Sequence, residues 1–406
     1  MPPGHSERGT LPTPDSLIIR TLWRVLLAAV ISLFPFTIYS TFLVPIAEAA
    51  EQEASVVGAL RGLGGVAALI VGIALAPFIA RWSAPHTTSA ALVLLSAASL
   101  IATLGTLPAL VLFCIGIGVA TAVLTPTLLT IATTTFTRDG DSGRAATIVT
   151  ATQSLAAVLA APVIGGIGLW NGWHGALWVT AGTAAIIAIL ILRAESGSGG
   201  GSTPLRYAEA FHRLRHRRDL LALIGIAFLR TTAFMGYLAF LAVYYHDRFA
   251  LNPVSFTLIW TLSGASFFTG NYLAGRWARG TAPRRRRLLY VGLLCAAVAV
   301  IIVFTTEWLP FALIATAVMG FSHAIVAALV TTQIAERGEE LTPSAYSINA
   351  AGMSLGVFTG ALVASIGLNL GGGVGVAISL VVPTLVAIAL VPNTTRTQSV
   401  GDRKCW

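Results

Sequence analysis

Charge is scarce in this chain. Only 10% of its 406 residues are Asp, Glu, Lys or Arg, while 56% are hydrophobic. A water-soluble domain carries roughly 25% charged residues. So few charges exclude a soluble globular protein and leave a surface turned mostly to lipid. Lysine is nearly missing: Lys404 is the only one, and the other basic residues are arginines. Cysteine is down to three. Cys114 and Cys295 fall inside apolar runs and Cys405 adjoins the C-terminus, so neither a disulfide framework nor a metal spacing is available. No nucleophile–base–acid set stands out, and Gly371-Gly372-Gly373 has no phosphate-binding lysine or strand beside it. No enzyme, metal or cofactor is expected.

What the chain has is long apolar runs. Mean hydropathy is +0.82, and a spanning helix needs about 20 apolar residues. The runs predict spans near Leu22–Pro45, Val56–Ile79, Ser89–Leu104, Pro108–Thr133, Ala146–Leu169, Ala176–Leu192, Leu220–Tyr244, Val254–Gly275, Leu288–Phe304, Pro310–Ile334, Ser344–Leu368 and Gly373–Val391. That is an all-α membrane protein of about twelve helices. Residues 1–19 form an N-terminal tail, 20–193 and 219–392 two six-helix bundles, 194–218 a linker and 393–406 a C-terminal tail. The linker opens as a Gly/Ser tether. It continues with Leu205, Phe211 and Leu214 among five arginines, which suits a basic amphipathic helix on an anionic membrane or a disordered basic linker. No cleavable signal peptide is expected; the first span serves as an uncleaved anchor.

The net charge of +9 would suggest nucleic acid in a soluble chain, but here the arginines sit between apolar runs. Segments sharing a side with both termini carry Arg8, Arg20, Arg81, Arg138, Arg144, the linker arginines, Arg276, Arg279, Arg284–Arg287, Arg337, Arg396, Arg403 and Lys404. The opposite loops carry Glu48, Glu51, Glu53, Asp247 and Glu307, with Arg248 as their one basic residue. The positive-inside rule then places the termini and linker in the cytoplasm and the protein in the inner membrane. Ala80-Arg81-Trp82 and Gly275-Arg276-Trp277 stand at equivalent places in the two halves, as parallel repeats would.

Six helices, a basic central loop and six more resemble the major facilitator superfamily. Gly270-Asn-Tyr-Leu273-Ala-Gly275-Arg276-Trp-Ala-Arg279-Gly280 is similar to its signature loop, with Gly275 in place of the usual acid. Pro162-Val-Ile-Gly165-Gly166 resembles the end of the motif shared by drug–proton antiporters, although ordinary helix packing explains the same residues. Gly352, Gly356 and Gly360 make a smooth face similar to sugar- and drug-efflux members. Leu112 stands where many antiporters carry an arginine. The resemblance implies a monomeric secondary transporter working by alternating access, with gating residues among these motifs and protons as coupling ion.

Within the spans no Asp or Glu occurs, which argues against cationic cargo and for an anionic or neutral small molecule. Arg230 lies mid-membrane, roughly 16 Å into its span at 1.5 Å per residue. It is either a cavity-facing anion ligand or a structural arginine bonded to helix carbonyls. His323 sits equally deep and either carries the coupling proton or hydrogen-bonds between helices. Arg61, near the outer end of span two, can reach Glu48, Glu51 or Glu53 as an outer-gate ion pair, or snorkel. Further candidates for substrate contact are Thr37, Tyr39, Gln153, Tyr237, Trp260, Asn271 and Asn349. Three readings follow: proton-coupled efflux; uptake or exchange of an organic anion; or a non-transporting membrane receptor or scaffold.

Overall fold

The computed structural model describes residues 13–74, 82–136, 141–193, 212, 214–277, 281–338 and 341–394. Apolar runs in lipid must satisfy their backbone groups internally, and helices do so within one segment. Accordingly the described residues form helices and turns. In chain order these are α1 (Asp15–Ile31), α2 (Phe34–Thr41), α3 (Leu43–Ala49), α4 (Ala54–Ala74), α5 (Ala84–Ala102), α6 (Leu107–Thr135), α7 (Asp141–Leu192), α8 (Arg218–Phe249), α9 (Pro253–Trp277), α10 (Ala282–Thr305), α11 (Leu309–Gly338) and α12 (Thr342–Leu390), closed by a 3₁₀ turn at Val391–Thr394.

Nine helical stretches among the described residues are long and apolar enough to cross a membrane. Two of them are too long to cross once. α7 has 52 residues and α12 has 49, so each would reach over 70 Å, about twice the ~30 Å hydrocarbon core. Both are broken near two-thirds of their length. α7 breaks at Asn171 (φ −152°) and Gly172 (φ 56°, ψ −145°), and α12 at Gly371 (φ −156°) and Gly372 (φ 53°, ψ −138°). The second residue of each pair holds a conformation that side chains resist, so glycine is required there. The matching breaks mark an internal repeat more clearly than the Ala-Arg-Trp echo, whose Arg81 lies outside the described residues. With α7 and α12 counted twice, α1–α3 as one span and the less apolar α9 added, the expected twelve are present.

The first span is jointed: Pro35 opens α2 after a turn at Ser32 and Leu33, and Pro45 lies in α3 after the non-helical Phe42. The two short predicted spans are longer helices. α5 starts at Ala84 and α10 at Ala282, each with proline in its first turn.

Helices α1–α7 form one bundle and α8–α12 the other. In the first, the Ser89 and Ser96 hydroxyls of α5 donate across to the Ala188 and Ala181 carbonyls, at 3.0 and 2.8 Å. In the second, Gly356 and Gly360 of α12 lie against the α8 backbone at Phe228 and Thr232. Leu214, at the end of the linker, is fully buried among Leu220, Leu223 and Ile334. The predicted amphipathic helix otherwise falls outside the described residues.

The bundles meet along two seams. α4 packs on the first half of α12, where the Ser365 hydroxyl donates to the Ser55 carbonyl at 2.9 Å. A methyl added to Gly65 would stand 2.5 Å from the Ser354 oxygen and 2.8 Å from the Phe358 nitrogen. α9 packs on the first half of α7, where a methyl on Gly264 would stand 2.9 Å from the Ala157 oxygen and one on Gly165 2.8 Å from Thr257. These contacts concentrate away from the face that carries the linker. Exposed tryptophans cluster near the helix ends, Trp82 on the linker face and Trp170 and Trp308 on the far face, as an aromatic belt requires.

Candidate functional site

Arg230 stands twelve residues into α8, about 18 Å from its start, and is buried. Its Nη1 lies 3.2 Å from His323 Nδ1 and closer still to His323 Nε2. Its Nη2 reaches the Met353 sulfur at 3.7 Å. Three helices therefore converge on one guanidinium: α8, α11 through His323 and α12 through Met353. Met353 is brought there by Gly356, one turn along the same face of α12 and against the α8 backbone at Phe228 and the side chain of Thr231. The His323 ring stacks on Phe234, one turn above Arg230, with centroids 3.6 Å apart and planes 16° apart. Phe267 of α9 completes an aromatic wall, 5.9 Å from His323.

Two buried polar atoms here have no hydrogen-bond partner among the described residues: Arg230 Nε and Asn349 Oδ1. Asn349 lies one turn from Met353 on α12. A buried polar atom without a partner costs about 1–3 kcal/mol, and here a donor and an acceptor are both left open in one bundle wall. No described carboxylate pairs with Arg230. An imidazole accepts an arginine N–H only at a nitrogen that carries a lone pair, so this contact needs a neutral ring. A protonated His323 would set two positive charges side by side.

Of the two readings of Arg230, the bond to helix carbonyls is absent among the described residues: the guanidinium is folded onto His323 in the wall of the second bundle. Its contacts come from α8, α11 and α12. The wall is close to a seam, since Ser354, the residue after Met353, faces Gly65 of α4.

Arg61 departs from expectation. Glu48, Glu51 and Glu53 are exposed, whereas Arg61 is buried and turned inward. Its Nη1 donates to the Ser40 hydroxyl at 2.6 Å, and its guanidinium lies 5.7 Å from the Phe36 ring centroid. The ion pair with those acids is not formed, because Ser40 of α2 offers a nearer acceptor. Among the described residues, two guanidinium groups are therefore buried within the spans.

Among the softer candidates, Tyr39 donates its hydroxyl to the Val57 carbonyl at 2.6 Å and stacks on Phe113, a bond that ties α2 to α4. Thr37 bonds the Leu33 carbonyl one turn back. Tyr237 is fully buried, with its ring between Phe234 and Phe304. Trp260 packs on Phe256. Gln153 and Asn271 are partly exposed on α7 and α9. Only Arg230 and His323 are brought into direct contact. Of the gating candidates, Gly165 and Gly356 lie in tight contacts. Gly166, Gly275 and Gly352 do not, and Pro162 is exposed. Arg276 turns back on its own helix, donating to the Tyr272 hydroxyl at 2.6 Å, and Arg279 lies outside the described residues. Sequence reasoning missed Met353 and Phe267. It also missed the seam glycines Gly62, Gly65 and Gly264, although Gly58, Gly62 and Gly65 recur at helical spacing on α4.

Comparison with known proteins extends this picture. The family model of the Major Facilitator Superfamily matches residues 25–360. No curated protein matches. Among solved structures, one similar fold is a bacterial homologue of the human lysosomal transporter Spinster, in an inward-facing and unoccupied conformation. It is 15% identical over 93% of this chain and 97% of that one, with a TM-score of 0.75. The nucleoside transporter NupG is 14% identical over 93% and 98%, at 0.71. The human organic anion transporter MFSD10 is 15% identical over 93% and 100%, at 0.64. With its all-helical membrane fold, paired bundles and a family match over most of its length, the chain belongs to the major facilitator superfamily and is a transporter rather than an enzyme.

Proposed function

We propose that this secondary transporter moves a small anionic or neutral polar molecule by alternating access, with Arg230 as the ligand of the cargo's acceptor group and His323 as the site of proton coupling. The observation that carries the reading is the buried Arg230–His323 contact, with Arg230 Nε left open and no described carboxylate beside it. Protonating His323 breaks its contact with Arg230 and frees the guanidinium for an anion. Proton and anion are then carried together, as uptake by symport requires, whereas efflux by antiport requires cargo binding to expel the proton from His323. A cationic cargo would meet the same guanidinium without any counter-charge.

Outward movement is supported by the resemblance of Pro162–Gly166 and of the Gly352, Gly356, Gly360 face to efflux members. Uptake or exchange of an organic anion is the second reading, favoured by Arg230 itself. Placement in the inner membrane with the linker in the cytoplasm is supported by Arg217, Arg276, Arg284–Arg287 and Arg337 at one face. At the other, Arg248 is paired with Glu307. Proteoliposomes under imposed pH gradients separate the two directions. Efflux by antiport moves cargo against an inward proton gradient, and uptake moves it with that gradient. Flux that ignores the gradient in both directions would remove the proton from the proposal.

A further inference from the structure

A second site stands on the linker face, apart from Arg230. A cavity of about 460 Å³ opens between the start of α10 and the end of α11. Its wall includes Arg286, Arg287 and Tyr290 from α10, Gln333 and Arg337 from α11, and Thr394 from the closing turn. Among the described residues the nearby acids are already engaged: Glu336 pairs with Arg285, and Asp219 with Arg217. Arg286 and Arg287 are exposed and form no ion pair among the described residues. Arg337 places one amino group on the Gln333 amide oxygen at 2.6 Å, while its Nη1 is buried with no partner among the described residues. The guanidinium of Arg286 lies 5.8 Å from the Tyr290 ring centroid. Three guanidinium groups thus face one pocket, and no carboxylate among the described residues is left to neutralise them.

The same helix supplies a second, independent feature. Val291 borders the cavity, and Val291, Leu294, Val298 and Ile301 are 49, 56, 47 and 44% exposed. They recur every three or four residues, so they form one apolar stripe running from the pocket along the membrane-facing side of α10. A soluble phosphate compound would use the arginines and leave the stripe unused. A molecule with an anionic head and long alkyl chains uses both, and basic pockets at the ends of spanning helices suit such heads.

We infer that the cavity between α10 and α11 binds the headgroup of an anionic phospholipid, with Arg286, Arg287 and Arg337 on its phosphate and the acyl chains along the α10 stripe. Because α11 also carries His323, occupancy of this site would bear on the helix that closes the Arg230 contact.

The test is native mass spectrometry of the full chain in detergent, titrated with phosphatidylglycerol and with phosphatidylcholine. Wild type should retain one phosphatidylglycerol in preference to phosphatidylcholine. Affinity should fall about fivefold for each arginine removed, the ratio that corresponds to ~1 kcal/mol per basic group. Arg286→Gln/Arg287→Gln is the informative variant, since both residues are exposed and outside the core, and Arg337→Gln is the second. Arg284→Gln, in the same basic run but outside the cavity wall, should bind as wild type. An equal loss in Arg284→Gln would mean diffuse surface charge and would overturn the site. So would unchanged binding in Arg286→Gln/Arg287→Gln. Inorganic phosphate that displaces the lipid at equal concentration would overturn the role of the acyl chains.

Discussion

Placing an ionised side chain at the bilayer centre costs about 2.5–3.5 kcal/mol on insertion scales, and among the described residues two arginines are buried within the spans, Arg230 at mid-span and Arg61 nearer the far face. Arg61 is satisfied by a serine hydroxyl and an aromatic face. Arg230 rests on a histidine and keeps its Nε open. The difference suggests different roles, structural for Arg61 and cargo binding for Arg230. Replacing Arg230 by Ala should weaken binding of the cargo about 10- to 100-fold, the loss of one charge-assisted contact worth ~1.5–3 kcal/mol. Arg230→Lys should recover part of it. His323→Gln keeps a polar group against Arg230 but cannot titrate. Its flux should persist and lose its dependence on pH, measured in proteoliposomes. A pH profile in His323→Gln identical to that of wild type would assign the coupling proton elsewhere.

Whole helices are positioned by glycines, and their effects belong at that scale. A methyl at Gly65 would meet backbone atoms of the other bundle, which cannot move aside as a flexible side chain can. Gly65→Ala should disfavour closure of the α4–α12 seam by about 1–3 kcal/mol, the usual cost of overpacking. Spin-label distances across the far face should lengthen in a correspondingly larger fraction of molecules. Gly72→Ala, with nothing within 4 Å of the added methyl, should leave them unchanged. Gly172→Ala and Gly372→Ala force a side chain into a glycine conformation and should lower the unfolding temperature, each at a cost of about 1–3 kcal/mol. Parallel losses in the two variants would reflect the repeat that relates them.

The legibility of these features in the sequence differs by kind. Helix number, the central division and the arginine asymmetry are written in composition, because lipid imposes one simple rule on every segment. Burial of Arg230 and His323 at similar depth was visible too, but their contact depends on how α8 and α11 are rotated. One chain gives no access to that rotation. For the same reason the reading sent Arg61 toward nearby acids, when the rotation of α4 turns it to Ser40. Tyr39 is a candidate for substrate contact in the sequence, and only the packing of α2 on α4 supplies the Val57 carbonyl as the partner of its hydroxyl.

At the scale of the molecule, the seams lie toward the far face and the arginine-rich ends stand at the other. If that basic face is cytoplasmic, cysteines introduced at Arg215 or Arg284 should react with membrane-impermeant thiol reagents only in inside-out vesicles. A cysteine at Glu307 should react only in right-side-out ones. On the proposed mechanism, two bundles rocking about such seams expose the Arg230 wall to each side in turn, and the charge of that wall decides what the protein carries. The measurement that bears on this most directly is a thermal-shift screen of wild type and Arg230→Ala against anionic, neutral and cationic small molecules. The account predicts stabilisation of wild type by anionic or neutral polar compounds, lost in Arg230→Ala. Stabilisation by cations alone, or stabilisation that survives in Arg230→Ala, would contradict it.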